Sequence, residues 1–201
     1  MKNKLILQTI LSAILASVAI GIGGICYLTT GQAWTFSIGL LTIAVFNLQL
    51  FTGKVSYMNW NDTPKILLIL VCNILAAWGM GVFIHFTFPQ LVAYSWPVVS
   101  AKMTEGWLVF PRAILCNVMI FIAINSWKKL KIPNNLLVLV FACTVFVLCG
   151  FEHCVANAFY FGVSLTHGWN ILPFFGLNIL GNAIGGILSY RLTKAVEPKL
   201  S

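Results

Sequence analysis

The chain has 201 residues, of which 60% are hydrophobic and 8% are charged, whereas about 25% of the residues of an ordinary soluble domain are charged. This composition excludes a water-soluble globular protein and indicates one whose outer surface faces lipid. The net charge of +8 comes from basic residues that separate apolar segments instead of forming a basic stripe, so no nucleic acid is expected as a partner.

Six apolar segments follow one another along the chain, and each is long enough to span a bilayer as a helix. They are Leu5–Tyr27, Trp34–Phe51 with or without a continuation to Tyr57, Pro64–Phe88, Trp107–Trp127, Leu136–Leu165 and Ile171–Leu192. Six spans of about 20 residues with short connectors leave no room for a separate soluble domain. The sequence therefore predicts an all-α membrane protein with six transmembrane helices in a single domain, residues 1–201.

The basic residues predict how these spans are oriented. An even number of spans places both termini on one face of the membrane, and only Lys102 and Arg112 lie near the opposite face. The basic residues on the face of the termini are Lys2, Lys4, Lys54, Lys65, Lys128, Lys129, Lys131, Arg191, Lys194 and Lys199. Because Lys and Arg accumulate in cytoplasmic loops, we expect a multi-pass protein of the plasma or inner membrane with both termini in the cytoplasm.

Two of the six spans carry polar residues where a lipid-facing helix stays apolar. The second contains Thr52 and Gly53, and the fifth contains Gly150, Glu152 and His153. Backbone is interrupted at membrane depth only where it lines a cavity or is buried in protein, so the two glycines mark the expected interruptions. Their matching places in the two halves of the chain predict a 3+3 inverted repeat with broken second and fifth helices, an aquaporin-like protomer with a pathway at its midplane.

Glu152 and His153 form the most informative pair. An ionised carboxylate at the centre of a bilayer costs at least about 3 kcal/mol, so a protein keeps one only with a partner. Glu152 either orients the imidazole or contacts a substrate, and His153 either has a structural role or handles a proton. An ionisable residue within a membrane favours a functional role for His153. Thr52 donates a hydrogen bond to a permeating solute or caps a broken half-helix.

The cysteines and asparagines of these spans have simpler explanations. All six cysteines fall in apolar stretches without the paired spacing of a metal site, so buried thiols are expected. Cys149, His153 and Cys154 match no usual ligand pattern, and a thiol in apolar surroundings is inert, so no metal, cofactor or enzymatic activity is expected. Asn73, Asn117 and Asn182 either hydrogen-bond between helices or support the interrupted loops.

The order of the polar motifs resembles the formate/nitrite transporter family of pentameric anion channels, and the resemblance covers nearly the whole chain. The matching segments are Phe36-Ser37-Ile38-Gly39-Leu40, Leu50-Phe51-Thr52-Gly53, Cys116-Asn117, Phe146 to Asn157, and Gly181 to Gly186. The most specific string is Gly150-Phe151-Glu152-His153 followed by Ala156-Asn157. The resemblance implies a homopentamer with one pore through each protomer.

The resemblance also implies roles for individual residues. Phe36 and Leu40 would form a cytoplasmic constriction, and Phe146 would form an external one. His153 and Glu152 would lie at the centre, surrounded by Thr52, Asn117 and Asn182. Lys102 would supply the charge that attracts the anion. Arg112 competes with Lys102 for that last role. Family members commonly have Asn at the position of Lys54, and they begin with a cytoplasmic helix that has no counterpart here, so we expect the pore entrance or the pentamer rim to differ.

The function implied by this resemblance is a proton-linked channel or transporter for small monovalent anions of weak acids. Formate is the first choice of substrate, and nitrite and hydrosulfide are alternatives. The expected partners are the anion, a proton and membrane lipid. A channel for neutral solutes such as water or ammonia is the main rival, because it would share the broken helices, and an intramembrane metal-binding protein or enzyme is a weaker one.

Overall fold

The structure, a computed structural model, describes residues 2–197 and contains nine α-helices within that range. They are α1 (Lys2–Thr30), α2 (Ser37–Phe46), α3 (Phe51–Val55), α4 (Thr63–Thr87), α5 (Pro89–Met103), α6 (Val109–Lys129), α7 (Asn134–Leu148), α8 (Cys154–Val163) and α9 (Ile171–Val196). The predicted all-helical fold is confirmed for these residues. Lys199, one of the basic residues used to assign orientation, lies outside the described range.

Four helical stretches are long and apolar enough to cross a membrane. They are Asn3–Thr30, Trp60–Thr87, Gly106–Lys129 and Ile171–Val196, which contain most of α1 and all of α4, α6 and α9. Large apolar side chains on these helices, such as Leu15, Leu75 and Leu188, are exposed. A surface of this kind needs lipid as its solvent. The protein is therefore membrane-embedded, and these helices coincide with the first, third, fourth and sixth predicted spans.

The second and fifth predicted spans each consist of two shorter helices. Residues 47–50 separate α2 from α3, and residues 149–153 separate α7 from α8. Each interruption contains a residue in the left-handed region, Asn47 with φ 49° and Gly150 with φ 63°, and Asn and Gly adopt that conformation at the lowest cost. The expectation for Gly53 was wrong: this residue lies inside α3, because the chain turns at Asn47 before the glycine is reached.

Helix α5 was not predicted, because residues 89–106 lie between the third and fourth apolar segments. Its 15 residues cover only about 22 Å at a rise of 1.5 Å per residue, which is too short to cross the membrane. Leu91, Ser95 and Val99 recur every four residues and form its buried face, which packs against α1, α4 and α8. Lys102, in the last turn of α5, is thereby brought close to the residues between α7 and α8.

Glycines allow α8 to pack closely against α4. A Cβ atom added to Gly81 of α4 would lie 2.2 Å from the carbonyl oxygen of Phe159, and one added to Gly162 of α8 would lie 2.3 Å from that of Trp78. Small residues at such crossings let helix backbones approach each other in a membrane. The position of α8, and with it the residue that precedes it, is therefore fixed by backbone contact.

Candidate functional site

The two interrupted segments meet through the side chains of Thr52 and His153. Thr52 is the second residue of α3, and His153 directly precedes α8. Thr52 Oγ1 lies 2.9 Å from His153 Nε2, and both residues are buried. The sequence placed both residues near the expected pathway, but it did not predict that they touch.

The hydrogen bonds of His153 define its tautomer. Nδ1 lies 3.1 Å from the backbone nitrogen of Ala156, which can only donate, so Nδ1 must accept and carries no proton. The proton of the neutral ring is therefore on Nε2, which donates to Thr52 Oγ1. The hydroxyl proton of Thr52 is left free to donate elsewhere. A second proton on His153 would have to displace the bond from Ala156, so this geometry holds the imidazole neutral.

Glu152 is fully buried, and its charge is matched by direct partners. Oε1 accepts from Lys102 Nζ at 2.7 Å, and Oε2 accepts from Asn157 Nδ2 at 2.6 Å. Because these partners occupy both oxygens, and Thr52 and Ala156 occupy both nitrogens of His153, the carboxylate does not orient the imidazole through a direct hydrogen bond. This corrects one of the two roles proposed for Glu152 from the sequence.

Asn182 of α9 holds the interruption that contains Glu152. Its Nδ2 donates to the carbonyl oxygens of Glu152 and of Ala113, each at 2.8 Å. Its Oδ1 accepts from the backbone N–H of Cys154, the first residue of α8, at 3.0 Å. One side chain thus satisfies a backbone carbonyl within the interruption and the first N–H of α8, and ties both to α6.

Asn73 of α4 makes the corresponding bonds at the other interruption. Its Nδ2 donates to the carbonyl oxygens of Gln49, at 3.1 Å, and of Ala13, at 2.8 Å. Its Oδ1 accepts from the N–H of Phe51, the first residue of α3, at 2.7 Å. The same arrangement of an asparagine, an interruption, a short helix and a long helix therefore occurs twice in the chain.

Asn117 is a supporting residue. It is buried on α6, and its Nδ2 donates to the backbone carbonyl of Asn182 at 2.6 Å. Its neighbour across the helix pair is Gly186, where an added Cβ would lie 2.4 Å from Asn117 Nδ2. Its amide therefore secures α9 behind Asn182, as expected for a polar contact between helices.

Two phenylalanine rings lie together next to the imidazole. The ring centroids of Phe36 and Phe146 are 5.5 Å apart with an edge-to-face angle of 89°. Phe146 also stacks on His153 with centroids 6.1 Å apart. The resemblance implied that Phe36 and Phe146 belong to constrictions at opposite ends, but their rings are in contact and form one apolar pair. Leu40 lies one helical turn beyond Phe36 on α2 and is also buried.

Two cavities lie near this core. The first, here called the glutamate cavity, has a volume of about 200 Å³, and its lining includes Glu152, His153, Lys102, Glu105 and both phenylalanines of this pair. The second, here called the lysine cavity, has a volume of about 350 Å³, and its lining is Ile43, Ala44, Asn47, Leu48, Leu50, Gly53, Lys54, Ile124, Trp127 and Lys128. The buried Thr52 lines neither cavity, although His153, its hydrogen-bond partner, borders the first and Gly53 borders the second.

Of the two basic residues considered for attracting an anion, Lys102 lines the glutamate cavity and Arg112 does not. Arg112 Nη1 instead donates to Glu105 Oε1 at 2.5 Å, and the backbone carbonyl of Arg112 accepts from the N–H of Glu152. The geometry therefore favours Lys102. In the wall of the lysine cavity, Lys54 Nζ donates to Asn47 Oδ1 at 2.8 Å.

A comparison with known proteins identifies the family. The sequence model described as formate/nitrite transporter matches residues 2–196. The chain belongs to the formate/nitrite transporter family. The resemblance found in the sequence motifs is thereby confirmed, and the matched proteins are transporters and channels, as expected for a chain that is not an enzyme.

Two curated relatives are formate channels. The chain is 27% identical over 167 residues to "Formate channel FocB" of Escherichia coli (strain K12), covering 73% of this chain and 55% of that protein. It is 24% identical over 188 residues to "Formate channel FocA" of Haemophilus influenzae, covering 78% of this chain and 66% of that protein. The chain thus spans less than two thirds of the length of either relative.

Two solved structures share the fold. An "FNT family ion channel" superposes with a TM-score of 0.83 at 21% identity, covering 96% of this chain and 90% of that one. A "Pentameric formate channel with formate bound" superposes with a TM-score of 0.79 at 19% identity, covering 97% of this chain and 96% of that one. This member of the formate/nitrite transporter family therefore has the family fold over nearly all of its length.

Two members of the site were not predicted as such from the sequence. Asn157 was named only as part of a motif, because nothing in a sequence tells which acceptor its amide will meet. Glu105 was missed too, although it is one of only four acidic residues in the chain. That rarity was the available signal, since an acidic residue beside an apolar span needs a reason to be there.

Proposed function

We propose that this protein is a proton-linked channel or transporter for small monovalent anions of weak acids, with formate as the first choice of substrate. Membership of the formate/nitrite transporter family and the similarity to two formate channels support the substrate class. The observation that carries the proposal is the buried contact between Thr52 and His153, which puts a neutral proton-bearing imidazole beside an apolar barrier and next to a cavity that holds Lys102.

The first step is capture of the anion in the glutamate cavity. Lys102 contributes a positive charge, and opposite charges attract more strongly as water is excluded. The barrier of Phe36, Phe146 and Leu40 then excludes a bare anion, because stripping an ion of water costs several kcal/mol or more. The anion must be neutralised before it passes the barrier.

Passage of the neutral acid follows from the polar groups at the barrier. A neutral weak acid has one O–H donor and one or more acceptor oxygens. His153 Nε2–H donates to Thr52 Oγ1, and the Thr52 hydroxyl proton is then free to donate to such a molecule without adding a charge. Beyond the barrier the acid reaches the lysine cavity, where Lys54 favours release of its proton because positive charge stabilises the anion. Flux is then expected to follow the proton gradient.

We propose a 3+3 inverted repeat with broken second and fifth helices for the protomer. The matching hydrogen bonds of Asn73 and Asn182 at the two interruptions support this repeat. A homopentamer with one pore in each protomer is proposed from the similarity to a pentameric formate channel. The distribution of Lys and Arg favours a protein of the plasma or inner membrane with cytoplasmic termini, so the lysine cavity faces the cytoplasm and the glutamate cavity faces outward.

A channel for water or ammonia is the second candidate. Its specific support is the neutral state of His153, since a neutral donor beside two phenylalanine rings suits an uncharged solute as well as a neutral acid. The two candidates differ in whether an anion accumulates.

Uptake into proteoliposomes tests the proposal. Labelled formate is expected to enter faster when the outside is made more acidic than the inside, and nitrite and hydrosulfide are expected to compete. Passage of water or ammonia without any uptake of these anions would instead support the second candidate.

Replacement of His153 by Phe gives a residue-level prediction. His153→Phe removes Nε2–H and its bond to Thr52, so proton-driven formate uptake is expected to fall by at least about tenfold, the scale of one lost hydrogen bond to a buried polar group. His167→Phe, which changes an exposed histidine, is the matched control and is expected to transport normally. Undiminished uptake by a correctly assembled His153→Phe variant would contradict the proposed mechanism.

A further inference from the structure

Glu105 is a second carboxylate in the wall of the glutamate cavity, and the mechanism above gives it no role. It lies directly before the span that begins at Gly106, and its side chain is 12% exposed. Oε1 accepts from Arg112 Nη1 at 2.5 Å. Oε2 is buried and has no hydrogen-bond partner among residues 2–197. One oxygen of this carboxylate is thus held and the other is unsatisfied.

An unsatisfied buried carboxylate oxygen is costly as long as it carries charge. A proton on Oε2 would remove that cost. It would also leave the hydrogen bond between Arg112 and Oε1 in place, because the two oxygens are separate acceptors. The side chain can therefore gain and lose a proton without rearrangement of its neighbours.

The charges around Glu105 come from three parts of the fold. Lys102 belongs to α5, Arg112 to α6, and Glu152 to the segment between α7 and α8, which also carries the neutral His153. The remaining titratable residues that line the cavity are Tyr27 and Tyr160. Burial, and then the negative charge of Glu152, raise the pKa of Glu105 above its ordinary value of 4.5, although Lys102 and Arg112 act in the opposite direction.

The balance of these charges limits what the cavity can bind. With both glutamates ionised, Lys102 and Arg112 are fully neutralised, and a monovalent anion would bring the group to a net charge of −1. A proton on Glu105 restores neutrality in the presence of the anion. A cavity of about 200 Å³ has room for a small anion together with water, since one water occupies about 30 Å³ in the liquid.

We propose that Glu105 is the proton-binding group of the glutamate cavity and takes up one proton at Oε2 when a monovalent anion binds beside Lys102. This inference rests on the proposed function. The proton comes from water on that side of the membrane. It then passes to the anion: the Oε2–H bond breaks, a bond between the proton and the anion forms, the neutral acid moves on past Phe146, and Glu105 returns to the carboxylate.

The test measures initial rates of labelled formate uptake into proteoliposomes at several external pH values, with oriented protein that presents the glutamate cavity outward. For the wild type, the half-saturating formate concentration is expected to rise with pH by up to about tenfold per unit, because each anion binds with one proton. Glu105→Gln carries no charge at any of these pH values. Its half-saturating concentration is expected to be low and nearly constant, whereas its maximal rate falls because the proton must come from elsewhere.

Two further variants separate this role from a structural one. Glu105→Asp keeps a titratable group and is expected to restore the pH dependence. Glu197→Gln changes an exposed carboxylate that pairs with Lys129 far from the cavity, and it is expected to behave like the wild type. Glu105→Gln with the pH dependence of the wild type would overturn the proposal.

An infrared measurement gives a second readout that needs no transport. Addition of formate at fixed pH is expected to increase the signal of a protonated carboxyl group in the wild type and not in Glu105→Gln. Absence of this change in the wild type would overturn the role of Glu105. If wild-type protein takes up none of formate, nitrite and hydrosulfide, the proposed function fails. The infrared measurement with nitrite and then hydrosulfide still reports whether Glu105 takes up a proton when an anion binds.

Discussion

Glu152 is a fully buried carboxylate in a protein embedded in lipid, and its environment decides what it can do. Each of its oxygens has one short hydrogen bond, from Lys102 and from Asn157. Such a pair gains little over two apolar residues, but loss of a single partner leaves a buried charge uncompensated. Lys102 therefore has a structural duty as well as the proposed attraction of anions.

Replacement of Lys102 by Met is expected to destabilise the protein strongly. The variant leaves Glu152 without its counter-ion, and removal of one partner of a buried pair costs about 3–5 kcal/mol. Thermal unfolding of the detergent-solubilised protein should show a large fall in Tm. The double variant Lys102→Met with Glu152→Gln removes both charges and is expected to recover most of the stability. A single variant as stable as the wild type would show that the pair is not coupled.

At the scale of single residues, the sequence identified the central pair because ionisable residues are rare in apolar spans. Glu152 and His153 were named on that ground, whereas Thr52 was named because its hydroxyl lies beside an expected interruption. The sequence could not give the tautomer of His153, because Ala156 supplies the deciding N–H only once α8 has formed. A role for Glu105 was not predicted for a similar reason, because its unsatisfied oxygen exists only in the folded cavity.

At the scale of helices, the short segments α3 and α8 depend on their neighbours. A helix of five residues such as α3 is unstable alone, because nucleation of a helix is costly. Asn73 caps its first N–H, and Asn182 does the same for α8. The long helices α4 and α9 thus hold the interrupted ones in place.

Gly81 tests the close packing of α4 against α8. A methyl group at Gly81 would meet the backbone of Phe159, which cannot rotate away, so Gly81→Ala is expected to lower stability by about 1–3 kcal/mol. Gly79→Ala is the matched control on the same helix, because an added Cβ there has nothing within 4 Å. Thermal unfolding should separate the two variants, with Gly79→Ala at least as stable as the wild type. Equal loss of stability in both would contradict the packing argument.

The helices that the sequence predicted well are those whose whole length is apolar. Helix α5 was missed because Pro89, Gln90, Ser95 and Lys102 interrupt the apolar pattern, and its burial depends on neighbours that the sequence does not reveal. The interruption of the second span was placed at Gly53 because glycine is the usual sign of a break. The left-handed residue there is Asn47, whose side chain accepts from Lys54.

At the scale of the whole molecule, the charges divide between two cavities. Lys102 lines the glutamate cavity together with two carboxylates, whereas Lys54 and Lys128 line the lysine cavity, whose lining contains no acidic residue among those described. Lys128 Nζ also lies 3.8 Å from the centroid of the Tyr57 ring. Under the proposed function, an anion therefore meets a net charge near zero on one side and, on the other, a positive potential that does not depend on a carboxylate.

This difference predicts that Lys54 affects transport from one side only. Lys54→Gln removes a charge worth about 1 kcal/mol to an anion some 4 Å away in water, so the half-saturating formate concentration for entry from the lysine cavity should rise by about fivefold. Entry from the glutamate cavity should keep its half-saturating concentration. The effect should shrink as salt is added, because exposed charges are screened.

Uptake and release measured with oriented proteoliposomes at low and high salt check this prediction. Lys65→Gln removes an exposed charge that does not line the cavity, and it is the matched control. An equal change of the half-saturating concentration in both directions would contradict an electrostatic role of Lys54 confined to the lysine cavity. It would mean that Lys54 alters the shared barrier, for example by freeing Asn47 and loosening the segment before α3. A change of the half-saturating concentration only for entry from the lysine cavity requires a barrier around Thr52 and His153. This barrier must separate the anions in the lysine cavity from those in the glutamate cavity.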